Sequence, residues 1–229
     1  MVNHDHDFND TYYNDLEDTI INFLKQNHLW NRVISLDIEA DLRILTDPTH
    51  SYHYILSIST AKRDKNGIDI RNFILEDECK EGEEKILRDF YSYCKGIKPL
   101  VIIGYGIRRF DLPLLLLKSR QYRNVNNYND SISRSYFLDL IYRAGYEIAK
   151  YEGREPRFNK LDDVINHELF SNLPFKNKKS IVESRIEPDK DKWSVIYDLW
   201  KNHKTDFIEY INGDVHDTLL IAEKIFQIE

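Results

Sequence analysis

The chain has 229 residues, of which 41% are hydrophobic and 31% charged, which fits one sizeable domain with a real core. Its net charge of −7 argues against a nonspecific nucleic-acid coat but leaves room for a local basic channel. Two cysteines, Cys79 and Cys94, make neither a disulfide framework nor a zinc site. No apolar run approaches the roughly 18 residues of a membrane span, and no charged-then-apolar leader is present, so the expectation is a soluble, cytoplasmic protein with no membrane partner.

In chain order, residues 1–13 are polar and read as a loose start, with His4 and His6 solvated between acids. An amphipathic helix follows over about 14–28, carrying Leu16, Ile20, Ile21 and Leu24 at helical spacing. Residues 1–30 are therefore taken as an extension and 31–229 as the domain proper. A strand is predicted at 32–38, then a hairpin of strands at 52–61 and 68–75, turning through Asp64, Asn66 and Gly67. A helix follows with Ile86, Leu87, Phe90 and Tyr93 inward, and "PLVIIGYG" (99–106) reads as a central buried strand. From Phe110 the pattern is mostly helical, with Trp193 and Trp200 seven apart as core residues. Strands in hairpin order, a helix, a further strand and then helices predict an α/β fold with a mixed central sheet flanked by helices.

The strand "VISLDIEA" (33–40) carries two acids where a sheet avoids them. On a strand Asp37 and Glu39 share a face, with alpha carbons roughly 6.5–7 Å apart, and can converge on one cation. A second Asp-x-Glu, Asp15 and Glu17, lies in the helical segment, where side chains two apart diverge. That pair reads as solvated surface. For Asp37 and Glu39 taken alone, a strand end fraying into solvent is the competing reading.

Two further signals lie downstream. In "VIIGYGIRRFDLPLLLLKSR" a strand ends at Gly104 and a helix opens near Phe110 with Asp111 in its first turn. An acid there gains from the helix dipole, and a strand-to-helix turn at the carboxyl end of a sheet is a usual place for chemistry. Simple capping is the alternative for Asp111. In "EYINGDVHDTLLIAEKIF" the residues Ile211, Val215, Leu219, Ala222 and Ile225 mark an inner helix face, so Tyr210 and Asp214 share one side.

The order of these motifs resembles the DEDD-type 3′–5′ exonucleases: an Asp-x-Glu strand, G-Y-x-x-x-x-F-D-L-P, then Y-x-x-x-D on a late helix. It is most similar to the tyrosine subclass found as the proofreading domain of family B DNA polymerases. "FLDL" (137–140) and "FNKLDDVINHEL" (158–169) resemble the intervening segments. The resemblance implies a ribonuclease H-like fold, two bound Mg²⁺ or Mn²⁺ ions, and hydrolysis of single-stranded 3′ ends, of DNA in preference to RNA, in repair or replication. By it, Asp37, Glu39, Asp111 and Asp214 are the metal-site carboxylates and Tyr210 orients the attacking water. Two-metal chemistry accounts for a carboxylate pair that would otherwise repel itself. Gly106 stands where the family commonly has Asn, which touches substrate holding. The chain stops fifteen residues after Asp214, which reads as a free-standing nuclease domain.

Phosphate binding asks for positive charge near an acidic site. Arg108, Arg109, "KSRQYR" (118–123) and "KNKKSIVESR" (176–185) are the candidates, although each cluster singly reads as solvated surface. Tyr105, Gly106 and Phe110 complete the nucleic-acid candidates, the two rings as stacking or core groups. Two other readings stay open: a nuclease-like module that binds without cutting, and a ribonuclease H-like endonuclease.

Overall fold

The computed structural model describes residues 10–43, 53–122, 131–187 and 191–228; His4, His6 and Arg123 lie outside them. Among these described residues five strands, β1 (Val33–Ala40), β2 (Ile55–Asp64), β3 (Gly67–Ile74), β4 (Val101–Gly104) and β5 (Tyr136–Asp139), form one sheet in the order β3-β2-β1-β4-β5. The hairpin half is antiparallel, whereas β4 runs parallel to β1 and β5 parallel to β4. The carboxyl ends of β1, β4 and β5 therefore open onto one edge, the usual place for a ligand in a sheet of this kind.

The strand β5 is absent from the sequence-based reading. Only four residues long, it shows no alternation by itself and exists because its backbone pairs with β4 from Val101↔Tyr136 to Gly104↔Asp139.

Helices cover both faces. One core layer joins Ile34, Leu36 and Ile38 of β1 to α2 (Lys80–Ile97), α3 (Asp111–Gln121) and, further along, α7 (Lys192–Asn202). The other joins Val33, Val101, Ile103 and Leu138 to α1 (Asp10–Gln26), α4 (Leu140–Glu152) and the carboxyl half of α8 (Lys204–Ile225). The short helices α5 (Leu161–Ile165) and α6 (Ser180–Glu183) lie between. Ile21 and Leu24 of α1 are buried in the second layer, so this helix packs on the sheet. Among the described residues no helix is long and apolar enough to cross a membrane.

Two charges depart from the surface reading. Glu17 is buried, accepting from the Tyr136 hydroxyl at 3.2 Å with Arg108 3.8 Å away, while Leu16 is 41% exposed. The buried face of α1 is rotated toward Glu17 because a cation and a phenol at the sheet edge offer it partners. Lys118 is also buried, 2.9 Å from Glu83, which further accepts from Ile55 N at 2.7 Å and from the Tyr122 hydroxyl. "KSRQYR" is therefore partly an internal ion-pair network tying α3 to α2 and β2.

Candidate active site

Alternation along β1 puts Ser35, Asp37 and Glu39 on one face, and α8 crosses that face. The Ser35 hydroxyl donates to the Val215 carbonyl at 2.7 Å, pinning the helix to the strand one residue beyond Asp214. As a result, carboxylate oxygens of Asp37, Glu39 and Asp214 all lie within 4.8 Å of one another. One turn before Asp214, the buried Tyr210 hydroxyl faces the Glu39 and Asp214 carboxylates, near enough to hold either of them down in pKa by hydrogen bonding.

Asp111 approaches from the other side. The β1–β4 pairing ends at Ser35↔Ile103, so further along β1 no strand occupies that edge. Asp111 takes its place, accepting from Ile38 N at 2.8 Å between the two strand acids. Gly104 permits the approach, since a Cβ there would lie 2.7 Å from Ile107 Cβ and 3.0 Å from the Leu36 carbonyl. Asp139, at the end of β5, accepts from Gly106 N at 2.8 Å and Arg108 N at 3.2 Å, and so braces the turn that delivers Asp111.

Burial and mutual repulsion dominate the electrostatics. Desolvation pushes Asp37 well above the usual carboxylate range, reinforced by Glu39, Asp214 and Asp111. Burial raises Glu39 to about 7 and Asp111 to about 8, and raises Asp214 as well. Two lysines oppose this: Lys179, 3.4 Å from Asp162 and close enough to Asp214 and Asp37 to stay charged despite burial, and the exposed Lys192, whose field reaches Glu39 and Asp214. Asp37 Oδ2 is buried with no hydrogen-bond partner among the described residues. Crowded carboxylates, one with an orphaned oxygen, fit a hard divalent cation, which prefers oxygen donors.

Opposite Asp37 and Glu39 on β2 stand Ser59 and Ser57, both fully buried and with unpartnered hydroxyls. The site face is thus lined here by small polar groups, whereas Leu36 and Ile38 of the same strand are buried on the opposite face.

The sequence matches the family described as DNA polymerase family B, exonuclease domain, over residues 9–154. The chain belongs to this family. Its fold is similar to that of a family B DNA polymerase from the hyperthermophilic archaeon Pyrobaculum calidifontis, with a TM-score of 0.60 and 21% identity. That match covers 84% of this chain and 24% of the polymerase, so the chain spans about a quarter of that protein. Among curated proteins no relative matches it. The ribonuclease H-like architecture follows from the sheet order and this likeness.

The family match contains Asp37, Glu39 and Asp111 but ends before Tyr210 and Asp214, which join the site through the packing of α8. In this exonuclease-family domain the remaining candidates separate. Tyr105 is half-buried with its hydroxyl on the Asn159 carbonyl, and Phe110 packs against the core. Arg108, although exposed, is tied down by donating to the Phe137 carbonyl and the Tyr136 hydroxyl. Gly106 sits at φ +85° with open space where a Cβ would be, and Arg109 is exposed.

Sequence reasoning did not single out Lys179, Lys192, Asp162 or Asp217. Asp217 accepts from Lys176 N and Asn177 N, and a Cβ on Gly213 would meet the Lys178 side chain at 2.9 Å. The 176–179 segment is thereby docked on α8 beside Asp214. The only advance signal was the basic run itself.

Proposed function

We propose that this domain is a 3′–5′ exonuclease that hydrolyses the terminal phosphodiester of single-stranded nucleic acid, DNA in preference to RNA. The observation that carries the reading is the convergence of Asp37, Glu39 and Asp214 oxygens within 4.8 Å, with Asp37 Oδ2 unpartnered. Membership of the polymerase exonuclease family supports a DNA substrate.

Two Mg²⁺ or Mn²⁺ ions would be held by Asp37, Glu39 and Asp214, with Asp111 offering the oxygen that Ile38 leaves free. Bound there, they supply a nucleophile at neutral pH and charge relief on the leaving oxygen. Tyr210 keeps the Glu39 and Asp214 carboxylates aligned and stands where its hydroxyl can orient the attacking water. Lys179 contributes a fixed positive charge beside the cluster, lowering the repulsion that a phosphate meets on entry. Asp139 and Ser35 act as braces, holding the Asp111 turn and α8.

Linear and circular single strands of equal length distinguish this reading from its neighbours. The linear strand is degraded with Mg²⁺ or Mn²⁺ and the circle survives. Cleavage of the circle would instead indicate an endonuclease, and binding without loss of either strand a non-cutting module.

A further inference from the structure

Phe158 is 60% exposed, more than any other large apolar side chain among the described residues. Tyr142 beside it is 51% exposed, and the two rings pack edge to face with centres 5.1 Å apart. The Arg109 guanidinium lies 4.9 Å from the Phe158 ring centre and 5.8 Å from that of Tyr142, and donates to the Tyr142 hydroxyl at 3.3 Å. Unlike Arg108, Arg109 forms no ion pair among the described residues. Two half-exposed rings side by side, with a cation that has no ion pair among the described residues, mark an interaction patch rather than scattered surface apolar groups.

Their placement gives them a use. Each belongs to a segment that also carries an acid in or beside the carboxylate site. Arg109 lies two residues before Asp111, Tyr142 three after Asp139, and Phe158 four before Asp162, the partner of Lys179. Asp111 and Asp139 mark the carboxyl edge of the sheet, where β4 and β5 end. Exposed rings accept the faces of unpaired bases whatever their sequence, and an arginine beside them serves the phosphates. An acidic chain that must receive a polyanion needs such a cation on its approach.

We propose that Arg109, Tyr142 and Phe158 form a stacking platform for an unpaired base of the strand whose 3′ end occupies the carboxylate site. The inference rests on the exonuclease reading above. It assigns strand affinity to these three side chains rather than to Tyr105, Arg108 and Phe110, whose polar or apolar groups are already engaged within the fold.

The test is fluorescence anisotropy of a labelled oligothymidine with the full chain in EDTA, paired with KM and kcat for its degradation in Mg²⁺. Phe158→Ala with Tyr142→Ala should raise both Kd and KM about tenfold, with kcat within about twofold of wild type. Phe158→Trp should restore binding and Phe158→Leu should not, because leucine keeps apolar contact but cannot stack. Tyr151→Ala, an exposed ring on the same helix, serves as control and should change nothing. Unchanged Kd and KM in the double variant, or rescue by leucine equal to that by tryptophan, would overturn the platform while wild-type cleavage left the nuclease reading standing. A wild type that neither binds nor shortens the strand would overturn both.

Discussion

Asp217, three residues beyond Asp214 on α8, accepts the backbone N–H of Asn177 at 2.9 Å through one oxygen, and that of Lys176 at 2.9 Å through the other. The contact lies outside the carboxylate cluster, yet it fixes the segment that leads to Lys179. Asp217→Ala should remove two charge-assisted hydrogen bonds to partly buried N–H groups and cost about 1–3 kcal/mol of stability. Because Lys179 then loses its fixed position, the rate should fall as well. Lys179→Ala should lower the rate with much less effect on stability, and comparison of the two by thermal melts and turnover separates support from chemistry.

The two acids of α1 differ. Asp15 is exposed, and Asp15→Ala should leave turnover within about twofold of wild type. Glu17→Ala should lower the melting temperature, because it removes the acceptor for the Tyr136 hydroxyl and a neighbour of Arg108. Its kcat should change little once the protein is folded, because among the described residues Glu17 touches none of the cluster carboxylates directly, and Asp139 still braces the Arg108 turn. A large kcat loss at full folding would place α1 in the chemistry.

These residues also mark what was legible in the sequence. Asp37 and Glu39 stood out because a strand repeats every two residues, so a shared face follows from spacing alone. Tyr210 and Asp214 followed in the same way from a helix turn. Asp111 was visible as a first-turn acid and the end of the preceding strand at Gly104 was legible, but its bond to Ile38 N depends on the register of β4 against β1, which no local pattern encodes. Glu17 and Lys118 were read as surface because charge is usually solvated. Each is buried against a partner distant in sequence, Tyr136 for one and Glu83 for the other. Lys179 was hidden for a related reason: a basic run in a loop gives no face, and Gly213 and Asp217 choose one for it.

Tyr210→Phe keeps the ring, which is buried, and removes only the hydroxyl, which can donate to one of Glu39, Asp214 or a water between them. Loss of that positioning bond should cost about 1–3 kcal/mol in the transition state, or roughly ten- to a hundredfold in kcat, with KM nearly constant. Asp214→Asn, which removes a carboxylate of the cluster, should be worse. A raised KM at unchanged kcat would make Tyr210 a binding or packing residue.

The crowded acids tie stability to pH. Glu39, raised by burial to about 7, and Asp111, raised to about 8, keep protons in the folded state that the unfolded chain releases near pH 4. Their stabilising contribution is complete below that pH and is lost as pH rises through about 7–8, so without metal the melting temperature should fall between pH 5 and 8. Added Mg²⁺ or Mn²⁺ should stabilise more at pH 8 than at pH 6, because protons and metal compete for the same oxygens. Glu39→Gln should flatten both effects. A metal-induced shift independent of pH would argue against binding at these carboxylates.

The most direct measurement is digestion of a 5′-labelled single-stranded DNA by wild type and by Asp37→Ala, with EDTA, with Mg²⁺ and with Mn²⁺. The account predicts a descending ladder from wild type in either metal, none in EDTA, and none from Asp37→Ala, whose melting temperature without metal at neutral pH should equal or exceed that of wild type because an acid that burial and its neighbours disfavour is gone. A ladder from Asp37→Ala at more than a tenth of the wild-type rate, or degradation undiminished by EDTA, would contradict it.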